Sequence, residues 1–274
     1  MWVKVGSREL ELGGEHLTNL RSSNELLHDI DALRGRLAED GYLLLRRFHD
    51  REQVLTARKA VLAKMDKLGK LDRDTLLEEG VMADGSKSLF FGGTNEDLPE
   101  LLGVLNGDHI MRFFDELLGE QSLTYHYKWL RAVGKGDYTG AHYDIVYMGR
   151  GTENVYTVWS PLGDIDYAMG GLAICLDSHN FDSLKKSYGK KDSDRDGIGH
   201  YTDDPLVITE KFGGKWATAE FEAGDILIFG MFLMHCSLEN TTNAYRLSVD
   251  TRYQSAFEKI DERWSGKKPK GHFS

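Results

Sequence analysis

Apolar residues recur three or four positions apart in several stretches of the first 120 residues, as on the buried face of a helix. This spacing predicts helices over Asn24–Asp40, Glu52–Leu68 and Asp108–Leu118. Gly41 is typical of the residue that ends a helix. The run Tyr42–Phe48 is too short and too apolar at its start for a helix, so it predicts a strand. Residues 1–120 are therefore expected to form a helix-rich flank.

After residue 122 the pattern changes to short apolar runs that are separated by glycine, asparagine and aspartate. This texture is typical of a β-sandwich or barrel. No linker-like stretch divides the chain, so we expect a single α+β domain over residues 1–274, with most of the β core in residues 121–255. The polar segment 183–204 is expected to be an inserted loop. The predicted strands are Leu123–Val133, Asn154–Trp159, Gly171–Leu176, Leu206–Thr209, Asp225–Phe232 and Arg246–Tyr253.

The net negative charge of the chain disfavours partners that are themselves strongly negative. Its 44 acidic and 34 basic side chains give a formal net charge of −10, which repels phosphate backbones and anionic membranes. We therefore expect no nucleic-acid partner and no membrane partner. Cys175 and Cys236 both lie in apolar stretches, which favours reduced, buried thiols in a cytoplasmic protein. The sequence leaves the oligomeric state open.

His142 and Asp144 follow a glycine-rich segment and are separated by one residue. On a strand, residues i and i+2 point to the same face, so this imidazole and carboxylate can converge on one ion. With ten histidines in the chain, a His-x-Asp pair is also expected by chance, and a surface turn is an equally good explanation. The motif alone does not establish a metal site.

His235 adds a third candidate ligand at the end of the apolar stretch 225–234. A histidine in this position is either a hydrogen-bonded core residue or a ligand. Two histidines and one carboxylate on neighbouring strands would form the facial triad of non-haem Fe(II) oxygenases, which leaves positions open for an oxoacid and O2. Arg246 begins a new strand eleven residues later, where its guanidinium could bind the distal carboxylate of that oxoacid.

Three segments of the chain form a recognisable combination: His142-x-Asp144, His235-Cys-Ser-Leu-Glu-Asn-Thr-Thr, and Arg246-Leu-Ser-Val-Asp-Thr-Arg-Tyr253. Together they resemble the phytanoyl-CoA hydroxylase family of Fe(II)/2-oxoglutarate oxygenases, and the resemblance extends over most of the chain. It implies a double-stranded β-helix, the jelly roll also found in cupins, with flanking N-terminal helices. This agrees with the order of helices and strands predicted above.

The resemblance also implies roles for individual residues. His142, Asp144 and His235 would bind Fe(II), and Arg246 would bind the far carboxylate of 2-oxoglutarate, with the Ser237 hydroxyl beside it. With O2 as the second co-substrate, the family hydroxylates a C–H bond and releases succinate and CO2.

Three further positions are less certain matches to the family. Trp159 matches a tryptophan that lines the co-substrate pocket, although an ordinary core aromatic explains it nearly as well. Tyr143 stands where family members often have glutamine, and Ser178-His179 stands where many have Gly-Ser-His. No role is transferred to Tyr143 or Ser178.

The strand before the His-x-Asp motif alternates aromatic residues with His126 and Lys128. If this polar set faces inward, Lys128 contacts the co-substrate or the substrate, and we assign it here as a co-substrate-binding residue. If it faces outward, both residues lie at the surface. The direction in which Arg131 points is left open in the same way.

The leading interpretation is a 2-oxoglutarate-dependent dioxygenase that hydroxylates a small, polar metabolite. Tyr138, Tyr143 and Tyr147 around the ligands offer hydroxyls rather than the aliphatic wall that an acyl chain needs. One alternative is a cupin-like metalloenzyme that does not use 2-oxoglutarate, which would not need Arg246 or Ser237. The other is a non-enzymatic β-sandwich binding module whose histidines are incidental.

The acidic segment at residues 192–203 imitates a calcium-binding EF-hand loop. Asp192, Asp194 and Asp196 take the spacing of the first ligands, and Gly197 has the place of the turn glycine. The twelfth position is Asp203 instead of glutamate, and a proline two residues later opposes a following helix. We therefore expect a lid or surface loop without calcium.

Overall fold

The computed structural model describes residues 1–272. Its helices lie mostly in the first 120 residues, and shorter ones occur between the later strands. They are α1 Ile30–Asp40, α2 Arg51–Lys67, α3 Pro99–Asn106, α4 Asp108–Leu118, α5 Ile145–Met148, α6 Asp182–Lys186, α7 Ser193–Asp196 and α8 Leu206–Phe212.

The strands begin at the N-terminus and are most frequent after residue 121. They are β1 Trp2–Val5, β2 Arg8–Glu11, β3 Leu17–Asn19, β4 Tyr42–Leu45, β5 Leu89–Gly93, β6 Ser122–Thr124, β7 Lys128–Val133, β8 Tyr156–Pro161, β9 Leu172–Cys175, β10 Trp216–Thr218, β11 Ile226–Gly230, β12 His235–Ser237 and β13 Arg246–Ser255.

The three helices predicted from the apolar spacing are confirmed; α2 is displaced by one residue, and α1 begins later than predicted. The side chain of Asp29 accepts a hydrogen bond from the Ala32 N–H at 3.0 Å, so α1 begins at Ile30 and residues 24–26 form a separate 3₁₀ turn. Gly41 ends α1 in the left-handed region, with φ +78°. Helix α3 was not predicted.

Two sheets form the β core. The larger has the order β4-β11-β8-β13-β7-β5, with β6 also paired to β13. The smaller has the order β12-β9-β10-β3. Two β-sheets together with helices from the first 120 residues confirm the α+β jelly roll with N-terminal flanking helices that the sequence predicts.

Alternation along β13 gives the larger sheet two different faces. Leu247 and Val249 pack in one apolar cluster with α2 and α3, and Tyr253 packs in another with α1 and α4. The residues between them point the other way and are polar, which is unusual for a fully buried strand. They are Arg246, Ser248, Asp250, Arg252 and Gln254.

Several predicted elements differ in the structure. Leu206–Thr209 is not a strand but the start of α8, which follows Pro205. The predicted strand Leu123–Val133 is split into β6 and β7, and the stretch Asp225–Phe232 stops at Gly230 so that His235 lies on its own strand. Segment 183–204 contains short helices rather than only loop.

Candidate metal centre

A backbone bridge brings the two histidines of the site together. The His142 N–H donates to the His235 carbonyl at 3.0 Å, and the His235 N–H donates to the His142 carbonyl at 3.1 Å. This antiparallel pair of bonds aligns two positions that are 93 residues apart in sequence. Asp144, two residues further on, stands just before α5, so the turn into this helix directs its carboxylate toward the same point.

The three side chains point toward one another. Asp144 Oδ1 lies 3.6 Å from His142 Nε2 and 3.7 Å from His235 Nε2. All three residues are buried, and their ligand atoms lie within 4.8 Å of one another. Within residues 1–272 this is the only group of three or more such side chains that could hold one ion.

The outer nitrogens of both imidazoles are fixed by backbone carbonyls. His142 Nδ1 bonds to the Gly140 carbonyl at 2.8 Å, and His235 Nδ1 bonds to the Leu233 carbonyl at 2.9 Å. Because a carbonyl only accepts, each Nδ1 is the donor, which leaves each Nε2 as the ring atom that can bind a metal. Burial, together with the neighbouring His142, lowers the pKa of His235 to about 4. Two nitrogen lone pairs and a carboxylate facing one another fit a divalent iron ion.

The second oxygen of Asp144 is held by two donors that the sequence analysis missed. Thr157 Oγ1 donates to Asp144 Oδ2 at 2.5 Å, and Arg252 Nη2 donates to the same oxygen at 2.9 Å. Burial alone would raise the pKa of Asp144, but Arg252 and the two histidines outweigh it and hold the pKa well below its usual range. Asp144 is therefore a carboxylate with Oδ1 free for a metal.

Arg252 is itself buried against an aromatic ring. It is 2% exposed, and its guanidinium carbon lies 4.1 Å from the centroid of the Trp129 ring. The signal that could have found Arg252 is the polar alternation of β13, in which every second residue from Arg246 to Gln254 is charged or hydrogen-bonding.

Arg246, Ser237 and Trp159 line the same narrow cavity as the three convergent side chains. Arg246 bonds to Ser248 through Nη1, while its buried Nε has no hydrogen-bond partner within residues 1–272. Burial lowers the pKa of Arg246 to about 10, so it remains a cation at neutral pH. A buried guanidinium with an unpartnered donor fits an anionic co-substrate.

The assignment of Lys128 is wrong, because this side chain lies on the other face of the sheet. Its Nζ donates to Thr124 and Thr251, each at 2.9 Å, and Thr251 alternates with Arg252 on β13, on the same face as Val249 and Tyr253. His126 is exposed and lies beside Ser265. Arg131 does face the cavity, where its Nε donates to Asp250 at 3.0 Å.

The carboxylates of the predicted lid loop are engaged by arginines. Arg150 bonds to Asp192 through Nε at 2.7 Å, and Arg263 bonds to Asp194 through Nη1 at 2.6 Å. Asp192 also caps α7. These contacts leave no open cage of oxygens for a calcium ion among these residues.

The sequence matches the model of the phytanoyl-CoA dioxygenase family over residues 37–248. A relative named 1-deoxypentalenic acid 11-beta-hydroxylase, from Streptomyces exfoliatus, is 28% identical over 243 residues, covering 84% of this chain and 83% of that protein. Its namesake from Streptomyces arenae is 27% identical over 251 residues, with the same coverage of 84% and 83%.

Solved structures share the fold at lower sequence identity. The non-heme alpha ketoglutarate dependent carbocyclase SnoK from nogalamycin biosynthesis has a TM-score of 0.65 at 16% identity, covering 88% of this chain and 90% of that one. EctD from S. alaskensis, solved with 2-oxoglutarate and 5-hydroxyectoine, has a TM-score of 0.61 at 16% identity, covering 93% and 88%.

Proposed function

The chain belongs to the phytanoyl-CoA dioxygenase family, and we propose that it binds Fe(II) through His142, Asp144 and His235 to hydroxylate a small, polar metabolite. The family and the hydroxylase relatives make it a 2-oxoglutarate-dependent non-haem iron dioxygenase. The observation that carries the ligand assignment is the approach of both Nε2 atoms to one carboxylate oxygen, at 3.6 and 3.7 Å.

When bound, iron and 2-oxoglutarate use O2 to convert a substrate C–H into C–OH, with release of succinate and CO2. The residues of the chain hold the reactants in place and exclude water. Gly140 and Leu233 orient the two imidazoles, and Thr157 and Arg252 restrict Asp144 to one ligand oxygen. Three protein ligands to the iron would leave room for the co-substrate and O2.

The co-substrate end of the site is assigned to Arg246, with Ser237 and Trp159 beside it. Arg246 supplies the positive charge for the distal carboxylate of 2-oxoglutarate. The Ser237 hydroxyl accepts a hydrogen bond from the Thr139 N–H at 2.8 Å, so its own proton is available to the same carboxylate. Trp159, 1% exposed on β8, forms an apolar wall.

The substrate class and the setting of the enzyme are part of the proposal. Tyr147 lies against His142, with ring centroids 5.3 Å apart, and adds a phenol to the surroundings of this ligand. No helix within residues 1–272 has the length and apolar character to span a membrane. Cys175 and Cys236 are both free and buried, which supports the cytoplasm as the location. We further propose that the chain is a single domain.

The test is 2-oxoglutarate consumption by variants that remove one ligand each. His142→Ala, Asp144→Ala and His235→Ala should abolish succinate formation while the far-UV circular dichroism of the fold is retained. Arg246→Leu should instead weaken apparent 2-oxoglutarate affinity strongly, since truncating one partner of a buried charged pair costs about 2–5 kcal/mol. Full turnover in iron-loaded Asp144→Ala would refute the ligand assignment.

A further inference from the structure

We propose that Arg131 binds a carboxylate carried by the substrate, so that the enzyme acts on small carboxylic acids. The proposal rests on the proposed function, because it takes iron and 2-oxoglutarate to occupy the centre. Arg131 lies on β7, with its side chain in the cavity that also contains the triad and Arg246. No step described above uses Arg131.

The guanidinium of Arg131 is held by a hydrogen bond to Asp250 and by a contact with an aromatic ring. Its Nε donates to Asp250 at 3.0 Å, and its central carbon lies 5.3 Å from the centroid of the Phe90 ring. Phe90 is directly opposite Arg131 in the β5–β7 pairing. Within residues 1–272 the bond to Asp250 is the only hydrogen bond of this guanidinium, so Nη1 and Nη2 remain as a fork that can bind a carboxylate through two hydrogen bonds.

Three arginines line the cavity, and two of them already have a partner or an assigned role. Arg252 is bound to Asp144, and Arg246 is assigned to the co-substrate. Both are 2% exposed as residues, whereas the Arg131 side chain is 32% exposed. Arg131 is therefore the arginine that an entering molecule can reach from solvent.

The charges of the cavity also call for a further anion. Its lining holds three arginines and two aspartates, and an imidazole that binds a metal does so in its neutral form. With a divalent iron the site carries three positive charges, and the 2-oxoglutarate dianion leaves one. In a narrow, largely buried cavity one uncompensated charge is unfavourable. A substrate with a single carboxylate removes it.

The test pairs small, polar carboxylic acids with their primary amides, for example 4-hydroxybutanoate, N-acetylvaline and pyroglutamate. Binding to anaerobic Fe(II)/2-oxoglutarate protein is followed by the change in its visible absorption, and turnover is followed by succinate release. We expect acids to bind and stimulate turnover about 10- to 100-fold better than amides, as for a hydrogen bond to a charged group. Arg131→Gln should reduce this ratio to within about twofold, and Arg131→Lys should retain part of it.

The control is Arg73→Gln, which removes one positive charge at an exposed position and should keep the acid preference. The proposal is overturned if no acid binds, if amides match acids, or if Arg131→Gln keeps the wild-type ratio. Loss of 2-oxoglutarate affinity in Arg131→Gln with the acid preference intact also overturns it, because Arg131 would then serve the co-substrate. If wild type shows no Fe(II)/2-oxoglutarate absorption at all, the failure belongs to the proposed function and not to Arg131.

Discussion

Asp144 illustrates how neighbouring residues determine what one carboxylate can do. Its Oδ1 faces the two imidazoles, while its Oδ2 is occupied by Thr157 and Arg252. Hydrogen bonds of this kind orient a ligand and tune its affinity for the metal. They also disfavour binding through both oxygens, which would use an iron position that the co-substrate or O2 requires.

Removing the Thr157 hydroxyl tests this restraint. Thr157→Val should weaken Fe(II) or Co(II) binding about 10-fold or more, because outer-shell partners of a ligand typically contribute 10- to 100-fold in metal affinity. Anaerobic calorimetric titration of the metal-free protein measures the effect. Thr157→Ser keeps the hydroxyl and serves as control, and equal affinity in the Val variant and wild type would contradict the role of this contact.

Lys128 provides a pH-dependent prediction that is independent of the metal. Burial, assisted by Arg252, lowers its pKa from 10.5 to about 7. Between these pH values the unfolded chain binds more protons than the folded one, so stability rises with pH through this window. The cost of the buried charge is complete below pH 7 and is lost as the pH approaches 10.5.

Replacement by an apolar side chain should therefore stabilise the protein. Lys128→Met should raise the free energy of unfolding at pH 6 by an amount on the order of 3 kcal/mol, and the gain should shrink toward pH 10. Thr124 and Thr251 keep their hydrogen bond to each other at 3.1 Å. Urea unfolding at several pH values provides the measurement, and a difference that is constant or grows with pH would contradict the assignment.

At the scale of the elements, the glycine inside α1 and the glycine that ends it differ in backbone conformation and in the space around them. Gly41 has φ +78°, and a Cβ there would lie 2.5 Å from His179 Nδ1. Gly35 lies in the middle of the helix on its solvent-exposed side, with nothing within 4 Å of an added Cβ.

The two alanine variants should therefore change stability in opposite directions. Gly35→Ala should stabilise by about 0.5–1 kcal/mol through better helix propensity. Gly41→Ala should destabilise by about 1 kcal/mol or more, since it forces a left-handed backbone and a close contact. Equilibrium denaturation of both variants measures these changes in stability. An unchanged midpoint for Gly41→Ala would contradict the left-handed conformation assigned to the residue that ends α1.

The acidic segment 192–203 gives a prediction about ion binding. Since Arg150 and Arg263 occupy the carboxylates of Asp192 and Asp194, millimolar Ca²⁺ should leave thermal unfolding unchanged relative to a chelator. Calorimetry that detected micromolar Ca²⁺ binding, lost in Asp194→Ala, would show that the arginines give way to the ion.

Local pattern predicted the long helices but not the elements that depend on distant pairing. Leu206–Thr209 has β-forming side chains, yet Pro205 places them at the start of a helix. Strand β3 is recognisable only through its parallel pairing with β10, about 200 residues away along the chain.

The same limit applies to the site. His142 and His235 could be proposed from sequence because a motif and a strand end mark them. Lys128 could not be placed, because a break in the strand decides which face it occupies. Arg252 and Thr157 become visible as partners of Asp144 only when β8 and β13 are aligned side by side.

For the molecule as a whole, the central claim is that two sheets bring three ligands and Arg246 into one iron and 2-oxoglutarate site. Anaerobic addition of Fe(II) and 2-oxoglutarate measures this most directly. The account predicts the weak visible charge-transfer band of the chelate in wild type, its absence in Asp144→Ala, and a much higher 2-oxoglutarate concentration for half-saturation in Arg246→Leu. A wild-type protein that binds Fe(II) but never develops the band would contradict it.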